Sequence, residues 1–172
     1  MNTKNLLLLA SLTLTMPLAA QTPQEDFKRD ITLSGSNYVA YRGPQKQLTA
    51  APKGYKPFYL SHYGRHGSRY MIGKKAYDVP YFSLLKAKQE GKLTAKGEET
   101  LAKVKMIREE AKGRDGELTP LGALQHQGIT RRMMERFPEI FAGNTNIEAR
   151  STLVIRCILS MENGLQQMLR MN

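Results

Sequence analysis

The chain has 172 residues, 41% of them hydrophobic and 24% charged, and its 26 Lys and Arg outnumber its 15 Asp and Glu. That length holds one domain of ordinary size, and the composition excludes wholesale disorder. A formal charge of +11 favours anionic partners, whether nucleic acid, an acidic membrane surface or phosphorylated small molecules, and a lone cysteine, Cys157, excludes an internal disulfide.

The first stretch, MNTKNLLLLASLTLTMPLAAQ, carries one early lysine, an apolar run over 6–14, and small residues at Ala19 and Ala20. This layout predicts a secretory signal peptide, 1–20, cleaved after Ala20. The apolar run is too short to span a bilayer and no later run is longer, so the mature protein is expected to be periplasmic or secreted, with no membrane partner once the leader is removed. No cysteine follows the cleavage region, which argues against a lipid anchor. Export also sets nucleic acid aside and leaves a phosphorylated small molecule as the expected partner.

Residues 21–56 are polar with scattered Gly, Pro and Ser, and predict an N-terminal arm of extended chain and loops. PFYLSHY, 57–63, predicts a short strand ended by Gly64. A helix is expected over 81–89 with Gly91 as its stop. A second is expected over 98–112, with Leu101, Val104, Ile107 and Ala111 on one face and Gly113 at its C-terminal cap. Thr119 and Pro120 mark the start of a third helix, a capping hydroxyl followed by a residue that needs no amide hydrogen there, and Pro138 marks its end. NIEAR, 146–150, predicts another short strand. Ser151 or Thr152 then caps a final helix in which Val154, Ile158, Met161, Leu165, Met168 and Leu169 repeat at a period of 3.6. Cys157 falls on its apolar side as buried filler. This order predicts an α/β layered fold with parallel strands flanked by helices. Two strands cannot bury the faces of a sheet, so 57–172 is expected to be the front part of a larger domain.

The chemistry concentrates in SHYGRHGSRY, 61–70. His62 and His66 have the four-residue spacing of helical metal ligands, but Gly64 and Gly67 and the strand-like approach oppose a helix, and no carboxylate or cysteine stands nearby; no metal is expected. His62 reads as a packing or hydrogen-bonding residue of the strand. RHGSR is more telling. Gly67 permits close backbone approach, and Arg65 and Arg69 offer the paired planar donors that suit phosphoryl oxygens. Two flanking cations disfavour a third charge, which leaves the His66 ring a lone pair for attack on phosphorus.

RHGSR resembles the signature of the histidine phosphatase superfamily, in the branch of acid phosphatases and phytases. GELTPLGALQHQGITRRMMERFP resembles that family's Leu-Thr-X-X-Gly helix, and EARSTLVIRCILSMENGL resembles its later Arg-Ser/Thr segment. RHGSRY together with ARST and RC is most similar to bacterial multiple inositol polyphosphate phosphatases. The resemblance covers 57–169 and implies the N-terminal part of a histidine phosphatase α/β sandwich. It implies His66 as the phosphohistidine nucleophile, Arg65, Arg69 and Arg150 as phosphate-binding residues, an inositol polyphosphate substrate, and no metal or organic cofactor. It gives His126 no catalytic duty, and His126 reads as structural. Lys74 and Lys75 are expected either to meet outlying phosphates or to be a solvated pair. The family's proton donor lies in a His-Asp or His-Ala-Glu motif, and neither occurs in this sequence. The expectation is therefore a fragment lacking that donor, with a non-catalytic phosphate-binding module or an inactive truncated product as alternatives.

Overall fold

The computed structural model describes residues 22–39, 41, 43, 44, 46 and 49–172; the expected leader, 1–20, lies outside the described residues. The chain divides into two compact units, Met1–Ala40 and Tyr41–Asn172. In the first, helix α1 spans Pro23–Arg29. Pro23 occupies its first position, and the Thr22 amide donates to Glu25 Oε2 at 3.0 Å. A 3-10 helix, Ile31–Tyr38, follows. Much of the arm expected to be extended is therefore helical. Thr-Pro-X-Glu is a helix-start signature, and the polar composition of the stretch masked it.

The second unit holds five helices among its described residues. Helix α2, Lys75–Gln89, and helix α3, Ala95–Glu110, form an antiparallel hairpin. Asp78 near the start of α2 meets Arg108 near the end of α3 at 2.6 Å, and Lys88 near the end of α2 meets Glu98 near the start of α3 at 2.6 Å. Gly91, at φ +67°, turns the chain between them, a conformation that glycine adopts without a Cβ clash. Helix α2 begins earlier than expected because Pro80, inside it, forfeits one backbone bond without ending the helix.

Helix α4, Pro120–Arg136, short helix α5, Pro138–Phe141, and helix α6, Ile155–Met171, complete the unit. Helices α4 and α6 pack together through small and polar residues. Thr130 and Ser160 are each 3% exposed, Gln127 donates to Asn163 at 2.9 Å, and a Cβ on Gly164 would stand 3.0 Å from Thr130 Oγ1. A compact apolar cluster of Tyr70, Tyr77 and Ala111, with Met71 against it, joins the α2–α3 hairpin to the segment that follows RHGSR. The Tyr70 hydroxyl donates to Glu110 and accepts from Arg114, whose guanidinium lies 4.4 Å from the ring centroid.

The expected α/β sandwich is not what the chain forms. Among the described residues there is no strand, and the parallel sheet is overturned by a helical architecture. Among the described residues the one sheet-like contact is an isolated antiparallel bridge, Arg69 with Leu118. The physical reason is that a strand exists only through its partner. In 57–63 the strand-like run finds nothing to bury against: Phe58 is 95% exposed and Tyr63 fully so. Residues 146–150 are likewise without regular structure and exposed throughout. The final helix starts at Ile155 with Val154 at its cap, so neither Ser151 nor Thr152 caps it. Cys157 is half-buried. No helix of the described residues is long and apolar enough to cross a membrane.

Candidate functional site

The RHGSR segment is positioned by the first turn of α4. A Cβ on Gly67 would lie 2.3 Å from the Gly122 carbonyl oxygen, and a Cβ on Gly122 would lie 2.2 Å from the Ser68 carbonyl oxygen. Both distances are far below contact, so two glycines are required for this crossing. The close approach expected of Gly67 toward a ligand is made instead toward helix α4. Thr119 completes the joint. Its amide and its hydroxyl both donate to the Ser68 carbonyl at 2.9 Å, while its Oγ1 accepts from the Gly122 amide at 3.1 Å. The spacing Thr-X-X-Gly is thus a helix cap that also grips the loop. Beyond Arg69, the Tyr70 amide donates to the Glu117 carbonyl at 2.9 Å and the Met71 amide donates to the Tyr77 hydroxyl at 2.7 Å.

Three side chains hold the peptide groups around His66. His126 Nε2–H donates to the Arg65 carbonyl at 3.1 Å, the Gly67 amide donates to Ser160 Oγ at 3.0 Å, and the Ser68 amide donates to Gln125 Oε1 at 2.7 Å. Ser160 in turn donates to the Arg156 carbonyl at 2.7 Å. The half-buried His66 ring places Nδ1 2.8 Å from the Gly67 carbonyl. A carbonyl oxygen only accepts, so Nδ1 carries the proton and Nε2 is the lone-pair nitrogen of the neutral ring.

The sequence brings Arg65, His66 and Arg69 together by adjacency. The Arg65 side chain is exposed, and the Arg69 guanidinium donates to the Tyr70 carbonyl at 2.9 Å. Neither has a carboxylate partner among the described residues. Arg150 stands apart from them. It is exposed, bonded through Nε to Glu148 Oε1 at 2.7 Å, and no hydrogen bond or ion pair joins it to the loop. Lys74 occupies the cap position of α2 with its ammonium 3.7 Å from Asp78, beside a cavity of about 240 Å3 shared with Tyr77 and Arg108. Lys75 is exposed in the first turn of α2.

Gln125 and Ser160 carry no sequence signal as supports of the loop, whereas His126, expected to be structural, is one of them. Burial of the His126 ring pushes its imidazole below the ordinary histidine value; the bond to Arg65 opposes this, and the charges of His62 and His66 add to it. All three histidines of the chain therefore gather around the loop. His62 is exposed, lining an open cleft of about 590 Å3 with Tyr41, Lys46 and Arg132 rather than packing in a strand. Among the described residues no group of three His, Cys, Asp or Glu is arranged to hold a metal ion. No protein-family model matches the chain, and no curated protein sequence matches it.

Proposed function

We propose that this chain is an exported phosphomonoesterase, or the part of one, that acts on inositol polyphosphates through a phosphohistidine at His66. The observation that carries this reading is the bond from His66 Nδ1–H to the Gly67 carbonyl. It directs the lone pair to Nε2, in a segment whose two arginines are not spent on carboxylates. Nε2 attacks phosphorus as the bond to the leaving oxygen breaks and takes its electron pair away. Arg65 and Arg69 offset charge on the equatorial oxygens, and water then cleaves the P–N bond and returns the lone pair to Nε2. Arg150, held by Glu148 and not bonded to the loop, is given no part in this step. The leader-like pattern of the N-terminal sequence, with its apolar run and small residues at Ala19 and Ala20, and the excess of basic side chains support an exported protein with an anionic substrate.

An alkoxide leaving group needs a proton, and no carboxylic acid is bonded to His66 among the described residues. The test therefore uses dinitrophenyl phosphate, whose leaving group departs unprotonated. The expected result is a burst of dinitrophenolate approaching one equivalent per chain, with phosphate bound in an acid-labile, alkali-stable form. His66→Ala should give neither, and a burst that survives this substitution refutes the assignment. The missing acid favours a second reading, a phosphate-binding module without turnover. Binding of inositol hexasulfate with no burst from the unsubstituted chain supports that one.

A further inference from the structure

We propose that Gln125 is a positioning residue for His66, acting through the peptide group that joins Gly67 to Ser68; this rests on the phosphohistidine reading above. That peptide is planar and has two ends. Its carbonyl oxygen accepts from His66 Nδ1 at 2.8 Å, and its N–H donates to Gln125 Oε1 at 2.7 Å. Each bond polarises the amide in the sense that strengthens the other. The glutamine oxygen, the peptide and the imidazole form one relay that keeps the proton on Nδ1 and the lone pair on Nε2. Carboxylates that orient histidines do the same directly. Here a backbone amide stands between the orienting group and the ring.

Two further observations support a role beyond packing. The Ser68 amide needs an acceptor, so the oxygen of Gln125 must face it, and this orientation leaves Gln125 Nε2 buried with no acceptor among the described residues. The amide serves the loop at the expense of its own nitrogen. In addition, the other two peptide groups around His66 are already fixed, the Arg65 carbonyl by His126 and the Gly67 amide by Ser160. The Gly67–Ser68 peptide is the one that touches the ring, and Gln125 is the side chain that sets it.

The experiment compares the full chain with Gln125→Met, which keeps length without the acceptor, and Gln125→Glu, which keeps the acceptor oxygen. NMR of isotope-labelled imidazole nitrogens, assigned with His66→Ala, reads the tautomer; the dinitrophenyl phosphate burst reads the rate; titration with inorganic phosphate reads binding. In Gln125→Met, His66 should populate both tautomers and the burst rate should fall by roughly ten- to a hundredfold, as for other orienting partners, while phosphate affinity is unchanged. Gln125→Glu should restore tautomer and rate. A folded Gln125→Met with the original tautomer and rate overturns the proposal. If Gln125→Met does not fold, Gln125→Glu decides: Nδ1–H supports the relay and Nε2–H overturns it. A chain that shows no burst before substitution fails the phosphohistidine reading, and the tautomer comparison still judges the coupling of Gln125 to His66.

Discussion

Gly67 and Gly122 cross backbone to backbone, and at this scale the absence of two side chains decides where His66 sits. Neither glycine is in the left-handed region, so the demand is for space and not for an unusual dihedral. Alanine at either position must push main chain aside, since the nearest obstructing atom is a backbone carbonyl oxygen in each case and only Leu118 Cδ1, 2.7 Å from a Cβ on Gly122, belongs to a side chain. Gly67→Ala or Gly122→Ala should each destabilise the fold by about 1–3 kcal/mol, the range for overpacking. Gly128 supplies the contrast. A Cβ there meets only the guanidinium end of Arg132, at 3.2 Å, so Gly128→Ala should be neutral or stabilise by up to about 1 kcal/mol through helix propensity. Urea midpoints for the three variants check both statements, and equal midpoints would mean that the crossing is looser than described.

Helix α4 is the element that organises the candidate site. Its cap, Thr119, satisfies the Gly122 amide at the helix start and simultaneously binds the Ser68 carbonyl through its hydroxyl and its amide. One turn further on, Gln125 and His126 take up two more loop groups. Thr119→Ala should lose both hydroxyl bonds and cost about 1–2 kcal/mol, the upper part of the range for caps. Thr119→Ser keeps the hydroxyl and should recover most of it. The loss should also appear as faster amide exchange at Tyr70, whose bond to Glu117 lies beside the grip. Faster exchange confined to α4, with Tyr70 unchanged, would show that cap and loop are held independently.

For the whole molecule, stability depends on the protons bound by folded and unfolded chains. The folded value of His126 is displaced downward from the ordinary 6.5, with burial as the first cause. A lowered value means that the unfolded chain takes up the proton first as pH falls. The contribution of neutral His126 is therefore present above pH 6.5. It is lost as pH drops from there through the lower folded value, and levels off below it. Urea midpoints should fall between pH 8 and pH 5 for the native sequence, the unfolding free energy dropping by up to ~2.303RT per pH unit for each proton of difference. His126→Gln should flatten that slope, and an unchanged slope would place the proton uptake elsewhere.

Local chemistry made much of this protein readable from its residues alone. Thr119 before Pro120, Pro138 after the third predicted helix, Gly91 just past a helix end and the 3.6-residue repeat of the last helix all act within a few bonds of where they stand, whereas the helix expected to be capped by Gly113 is capped by Ala111. The adjacency of Arg65, His66 and Arg69 is of the same kind. The strands were not readable, because 57–63 and 146–150 carry the pattern of a strand while pairing is a property of two segments. The supports of His66 were hidden for a related reason. Ser68 to Gln125, Arg65 to His126 and Gly67 to Ser160 span 57, 61 and 93 positions, and each joins a side chain to a main-chain atom that every residue type possesses. Sequence names the side chains proposed to do chemistry. Only the packing of α4 against α6 and the loop selects which peptide groups they hold, because that choice is made by distance in space.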